Sequence, residues 1–473
     1  MKVEQIYTGC LAQGAYYIES NGEAAVIDPL REVSPYIEKA ARNKATIKYV
    51  FETHFHADFV SGHLDLAKET GAKIVFGPTA KPGFEAITAE DGQEFPIGNV
   101  KLKVLHTPGH TMESSCFLLI DETGKETALF SGDTLFIGDV GRPDLAQKVI
   151  PDLTQDKLAG HLFDSLRNKI MPLADDITLY PAHGAGSACG KNMSKETVDT
   201  LGHQKATNYA LRPDMTRDEF KVAVLTGLTP PPQYFPLNVL MNIKGYESIT
   251  EVIKRGTQAL DPKAFEAAAS ETDALVLDTR QPAEFAKGFI PNSVNIGLDG
   301  QFASWVGTLV PDINQQILFI ADPGHEEEVV TRLARVGYDH AIGYLKGGFE
   351  AWRNEGKEMD NIVSISADEL AVLLEKHPDT KVLDVRRKSE YDSEHMVNAI
   401  NIPLDYINQN MSEVHKNDTC YVHCAGGYRS MIFISILKAR GYDNLINVAD
   451  GFKGIKASGK FRITDYVCPS TML

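Results

Sequence analysis

Two stretches of the chain, LVLDTRQPAEFAKGFIPNSVNI at 275–296 and KVLDVRRKSEYDSEHMVNAINI at 381–402, align with one another. Asp278 and Asp384, Arg280 and Arg386, Glu284 and Glu390, and Asn295 and Asn401 all stand 106 residues apart. Such self-similarity marks a duplicated structural unit. The second half of the chain is therefore two copies of one small domain. Later in each copy a strand leads into a helix ending in GYD, at RVGYD (335–339) and ARGYD (439–443), now 104 residues apart, so the loop between strand and helix has changed.

At 473 residues the chain is too long for one compact domain. A proline-rich stretch, LTPPPQYFP at 228–236, and a helical segment ending near Gly256 put the first boundary around 256 to 270. The expected organisation is 1–256, 257–360 and 361–473, an α/β multidomain chain. In the first part, AAVIDPL and KYVFETH read as strands, SPYIEKAARN and HLDLAKETG as helices, and KLKVLHTPGH and ALFSGDT as strands running into loops.

The formal net charge of −17 gives a field that repels nucleic acid and anionic lipid, so neither is an expected partner. No apolar run reaches the ~18 residues of a membrane span. MKVEQIYTGC has an acidic residue at position 4 and no apolar h-region, so a cytoplasmic protein is expected. Six scattered cysteines without a C-x-x-C read as reduced thiols, each a buried small hydrophobe or a reactive centre.

Residues of metal-ligand type gather where strands of the first part end: THFHADF, with His54, His56 and Asp58; TPGHT, with His110; SGDT, with Asp133; and YPAHG, with His183. One such histidine is commonly a satisfied polar residue, but four segments in this order and setting point to metal binding. The set resembles the metallo-β-lactamase fold, an αββα sandwich with metals at one edge of its two sheets, over about Met1 to Gly256. In two-metal members of that fold, the residues matching His54, His56 and His110 hold the first metal. Those matching Asp58, His183 and the position of Phe59 hold the second, and the match of Asp133 bridges. Phe59 has no lone pair, so one ligand of the second site is missing.

His54, His110 and Asp133 remain as a two-His, one-carboxylate set, which on Fe(II) leaves open positions for a substrate atom and O2. The resemblance narrows to the persulfide dioxygenases of the superfamily, whose GDxxxxxxxGRxD stretch is present as GDTLFIGDVGRPD. It implies one Fe(II) per chain on His54, His110 and Asp133, with His56 and Asp58 around the ligands and His183 a vestigial ligand or pocket residue. Arg142 is a candidate for the substrate's anionic part, with a structural salt bridge as the alternative. Cys189 is a candidate second sulfur carrier, with a packed thiol as the alternative. A zinc hydrolase in which Phe59 simply packs also stays open.

The second copy carries YVHCAGGYRS, a strand ending at Cys424 and a loop closing at Arg429 before the apolar helix MIFISILKA. Loop N–H groups at a helix start stabilise a thiolate or persulfide anion. Cys424 and Arg429, with LDVR, Glu390 and NAINIP, resemble the active loop of rhodaneses, which carry sulfane sulfur as a cysteine persulfide. The first copy has ILFIADPGHEEEVVTRL instead, with Ile320 or Ala321 at the cysteine position, and 271–360 holds no cysteine. It is expected to be an inert spacer or docking module.

The order of the three parts resembles bacterial persulfide dioxygenase and sulfurtransferase fusions of sulfide detoxification. That resemblance implies a low-molecular-weight thiol persulfide, O2 and sulfite or thiosulfate as small-molecule partners, and a homodimer or homotetramer. The competing expectations are a two-zinc thioester hydrolase of the glyoxalase II kind with a fused sulfurtransferase, and a non-catalytic sulfur-responsive binding protein.

Overall fold

The computed structural model describes residues 1–145 and 153–468. Six strands form one sheet in chain order: β1 (Lys2–Thr8), β2 (Gln13–Ser20), β3 (Glu23–Ile27), β4 (Thr46–Glu52), β5 (Lys73–Phe76) and β6 (Ile87–Thr88). Six more form a second sheet in the order β12-β11-β10-β9-β8-β7: β7 (Glu94–Ile97), β8 (Val100–His106), β9 (Ser115–Ile120), β10 (Glu126–Gly132), β11 (Thr178–Pro181) and β12 (Asp199–Thr200).

Alternation of side chains along each strand builds the layers. Tyr16, Ile18, Phe51 and Val75 of the first sheet meet Leu102, Val104, Phe117 and Leu119 of the second in one core. The alternate residues Ala15, Tyr17 and Val26 face Tyr36 and Ala40 of the helix Ser34–Asn43. Cys116, Leu118 and Leu129 face Ala159 and Leu162 of the helix Gln155–Ser165. Helix, sheet, sheet and helix are thus stacked as the sequence led one to expect.

The two copies are built alike. The first has a five-stranded parallel sheet in the order β13-β17-β16-β14-β15, from β13 (Ala259–Leu260), β14 (Leu275–Asp278), β15 (Val294–Asn295), β16 (Ile317–Ile320) and β17 (Ala341–Leu345). The second repeats it as β18-β22-β21-β19-β20, from β18 (Ser364–Ile365), β19 (Lys381–Asp384), β20 (Ile400–Asn401), β21 (Cys420–His423) and β22 (Leu445–Val448). The repeated residues explain themselves. Arg280 grips Asp278 and caps Gly288 O, and Arg386 does the same with Asp384 and Glu394 O. Asn295 and Asn401 each donate to two carbonyls at the end of that strand.

Strand register settles the open alignment. Asp278 pairs with Ile320, and Asp384 pairs with His423. Ile320 therefore matches His423, and Ala321 stands at the position of Cys424.

The described chain divides into two compact units, Met1–Glu251 with Thr331–Asp339, and Val252–Val330 with His340–Leu473. Among the described residues no helix is long and apolar enough to cross a membrane.

Candidate functional site

The strands β4, β8, β10 and β11 all deliver their following loops to one edge of the sandwich. Those loops bring His54, His110, Asp133 and His183 together, each buried. His110 Nε2 lies 3.4 Å and His54 Nε2 3.9 Å from Asp133 Oδ2, while His183 Nε2 lies 3.5 Å from Asp133 Oδ1. Asp58 Oδ2 is 3.4 Å from His183 Nε2.

The far side of each ring fixes which nitrogen faces inward. Thr53 Oγ1 donates to Asp28 Oδ2 at 2.8 Å and accepts from His54 Nδ1 at 3.0 Å. His110 Nδ1 donates to Arg142 O at 2.9 Å, and His183 Nδ1 to Ala12 O at 3.3 Å. With Nδ1 protonated, all three Nε2 lone pairs point at the shared centre. His54 Nε2, His183 Nε2 and both oxygens of Asp133 are buried without a hydrogen-bond partner, a loss that a bound cation would repair. Burial, together with repulsion from the neighbouring histidines, holds His54 well below the usual imidazole range, so it is neutral and a lone-pair donor. The donor set fits a metal ion: His54, His110 and Asp133 lie with their ligand atoms within 4.8 Å of one another.

A second set, His56, Asp58 and His183, also lies within that distance. It is compromised on two sides. Phe59, fully buried, lies against the His56 ring with centroids 4.3 Å apart. His56 Nε2 faces Asp28 at 3.1 Å and Glu52 at 3.5 Å. Burial opposes a charge on this ring, but the two carboxylates outweigh it and raise His56 to about 9. A protonated imidazole has no lone pair to give. Burial also raises Asp58, an effect that His183 offsets in part and Asp133 reinforces.

Asp28, Glu52, Thr53 and Asn242 are partners that the motif did not reveal. Asp28 and Glu52 close the strand-like AAVID and KYVFE, and an acid ending an apolar strand was the signal available for them. Asn242 left no such signal. It lies in the helix Phe235–Lys244 and donates to the carbonyls of His56 and Phe59 at 2.8 and 2.9 Å, pinning the THFHADF loop.

Arg142 takes the salt-bridge alternative. Its guanidinium bonds both oxygens of Asp144 at 2.6 and 2.7 Å and donates to Ala188 O and Thr229 O. Its contribution to the site is its carbonyl under His110. Gly141, just before it, is required by close approach, because a Cβ there would stand 1.9 Å from Asp133 O. Cys189 is buried, and its sulfur lies within 4.8 Å of ligand atoms of Asp133 and His183. Burial, with Asp58 and Asp133 adding to it, pushes this thiol well up, so it stays protonated at neutral pH. Beside His110 opens a cavity of about 400 Å³, walled by apolar residues including Phe55, Leu145, Val239 and Ile243, with Lys81 and Glu113 among its polar groups.

In the second unit, Cys424 follows β21 and opens a loop that leads into the helix Tyr428–Ala439. The Gly427 N–H donates to Cys424 Sγ at 3.1 Å. Gly427 has φ +96°, and a Cβ there would stand 2.6 Å from Ala449 O, so the turn that aims this amide requires glycine. Arg429 bonds Glu390 through both nitrogens at 2.5 and 2.9 Å. Burial opposes ionisation of Glu390, but Arg429 outweighs it and keeps the carboxyl below its ordinary range.

The first copy differs from the second in its loop as well as in the missing thiol. Gly324 occupies the place of Gly427, three residues after Ala321, with φ +93°. Its N–H donates at 2.8 Å to the carboxylate of Glu326. The cradle amide is occupied by the copy's own acid.

The model of the metallo-beta-lactamase superfamily matches residues 8–183, and that of the rhodanese-like domain matches 261–355 and 366–458. A hydroxyacylglutathione hydrolase of Pseudoalteromonas translucida is 34% identical over 207 residues, 43% of this chain and 72% of that protein. A probable hydroxyacylglutathione hydrolase of Schizosaccharomyces pombe is 31% identical over 168 residues, 35% of this chain; the chain spans only 60% of that relative's length. The crystal structure of a metallo-beta-lactamase from Staphylococcus aureus subsp. aureus COL superimposes with a TM-score of 0.64 at 32% identity, covering 73% of this chain and 98% of that one.

Proposed function

Because the chain belongs to the metallo-beta-lactamase superfamily and carries two rhodanese-like domains behind that fold, we propose that it oxidises a low-molecular-weight thiol persulfide to sulfite and moves sulfane sulfur through Cys424. His54, His110 and Asp133 would hold one Fe(II) per chain. The observation that carries this reading is the pairing of His56 with Asp28 and its cover by Phe59, which leaves a three-donor set beside a depleted second one. Bound there, the iron would supply redox chemistry toward sulfur and O2.

The chain's own residues do the rest. Thr53 and the Arg142 carbonyl hold His54 and His110 in the ligating tautomer. The apolar cavity beside His110 seats the thiol arm; O2 gives two oxygens of the sulfite and water the third, and the arm leaves as a thiol. At the second centre, the Gly427 amide stabilises the Cys424 sulfur as an anion. Thiolate attack on the outer sulfur of a persulfide forms a bond from Cys424 Sγ to that sulfur and releases the thiol with its proton. Sulfite then takes up the sulfur, giving thiosulfate and the original thiolate; run backwards, the same steps use thiosulfate. The partners are thus persulfide, O2, sulfite and thiosulfate, in a reducing cytoplasmic setting and a homodimeric or homotetrameric assembly.

Iron and zinc content of protein purified without air, followed by O2 uptake with a panel of persulfides, tests the proposal. One iron per chain with persulfide-dependent O2 uptake supports it. The second reading is a two-zinc thioester hydrolase, favoured by the names of the relatives and by the second ligand set. Two zincs with thioester cleavage and no O2 uptake would establish it instead.

A further inference from the structure

The cavity over Cys424 is about 380 Å³, and its own copy does not wall it alone. Arg387, Glu390, Cys424 and Arg429 line it from the second copy, while Gln301 and Trp305 line it from the first. Gln301 caps the helix Phe302–Leu309, and Trp305 lies one turn inside it, 5% exposed. The copies are joined at this place. The amide of Asn295 donates to Ser435 Oγ at 3.0 Å, and the hydroxyl of Tyr428, the neighbour of Arg429, donates to Gly297 O at 2.7 Å. A Cβ at Gly297 would stand 3.2 Å from the Tyr428 ring. Expected as a spacer or docking module, the first copy also completes the pocket of the second.

Size and charge indicate what the pocket takes. Its volume falls within the range of sites for organic molecules, on the order of 300 to 1,000 Å³; a sulfite or thiosulfate ion fills a small part of it. Both guanidinium groups already have carboxylate partners, Arg429 with Glu390 and Arg387 Nε with Asp405 Oδ2 at 3.3 Å. A site made for a free dianion alone would leave cationic charge unneutralised. An indole instead offers a broad apolar face, stiff enough to order at small entropic cost.

We propose that Gln301 and Trp305, lent by the inert copy, are specificity-determining residues of the Cys424 site. They hold the carbon-bearing arm of an organic persulfide whose outer sulfur is the one transferred. This rests on the reading of Cys424 as the sulfur carrier. Cys424 Sγ bonds to the outer sulfur, the bond from that sulfur to the arm's own sulfur breaks, and the arm leaves as a thiol with the proton. The exchange has no net oxidation and needs no co-reactant.

The test uses the full chain with O2 excluded, so that the first centre cannot consume the donor. Thiosulfate formation from glutathione persulfide and sulfite is compared with thiocyanate formation from thiosulfate and cyanide, in wild type, Trp305→Ala, Trp305→Phe and Gln301→Ala. Trp305→Ala is expected to lower kcat/KM for the organic persulfide by on the order of tenfold more than for thiosulfate, chiefly through KM. Trp305→Phe should recover most of that difference, and Gln301→Ala should shift it the same way to a smaller extent. Equal losses with both donors, or no loss in any of the three variants, would overturn the proposal. A wild-type chain inactive with both donors would remove the assignment of Cys424 itself, and the proposal with it.

Discussion

The ring of Phe59 lies 4.3 Å from the ring of His56, inclined by 31°, with both side chains at 0% exposure. By the resemblance to two-metal members of the superfamily, the phenylalanine stands at the position of a second-site ligand, and it covers a histidine that faces Asp28 and Glu52. Phe59→His therefore adds an imidazole next to Asp58 and His183. The expected result is a rise in bound metal toward two ions per chain in zinc-supplemented medium, read by elemental analysis. Loss of the buried apolar ring should cost about 2 kcal/mol of stability. Unchanged metal content would mean that an imidazole at this position, with Asp58 and His183, does not suffice to hold a second ion.

Thr53 joins Asp28 to His54 through one hydroxyl. Thr53→Val keeps the shape but removes both bonds, freeing the His54 ring to turn and to change tautomer. Metal affinity, measured by chelator competition, should weaken by roughly 10- to 100-fold. An affinity within twofold of wild type would show that the ring is oriented by packing alone.

Ala321 stands where the second copy has Cys424. In a Cys424→Ser background, Ala321→Cys should restore no cyanide-dependent sulfur transfer. Pro323 has no N–H to offer, and the Gly324 amide is taken by Glu326. Adding Glu326→Gln should weaken that block. Turnover from Ala321→Cys alone would show that the loop needs nothing but a thiol.

His63 is fully buried, its ring tilted by 31° against that of Phe84 with centroids 5.0 Å apart. Burial, with repulsion from His56 and Arg31, pushes it down from 6.5 to about 3. The unfolded chain takes up a proton on this residue below 6.5 while the folded chain does not. Its contribution is therefore complete above pH 6.5 and is lost as the pH falls toward 3, by about 1.4 kcal/mol per pH unit. Denaturant titrations from pH 7 to 4 should show His63→Phe losing stability more shallowly than wild type. Parallel pH curves would place the acid sensitivity elsewhere.

The periodicity of AAVIDPL, KYVFETH and ALFSGDT placed the strands, and the 106-residue repeat placed the two copies, because side-chain alternation and duplication are written along the chain itself. The same holds for the residues at strand ends: β4, β8, β10 and β11 stop where His54, His110, Asp133 and His183 follow. Arg142 was legible only as a choice between two roles, since Asp144 is near in sequence but Ala188 and Thr229 are not. Asn242, held to His56 and Phe59 from a distant helix, carried no local sign at all.

By itself the sequence determined the fold class, the order of the domains, the residue types gathered at strand ends and the absence of a thiol from the first copy. Only the tertiary structure decided that three Nε2 atoms converge on Asp133, that His56 turns to Asp28, that Ala321 rather than Ile320 replaces the cysteine, and that Trp305 reaches the Cys424 pocket. The division has one physical cause. Hydrophobic period and turn chemistry act between neighbours and fix each element's face and ends. Ring orientation, ion pairing and pocket walls depend on groups far apart in the chain, whose meeting is set by strand register and the packing of whole layers.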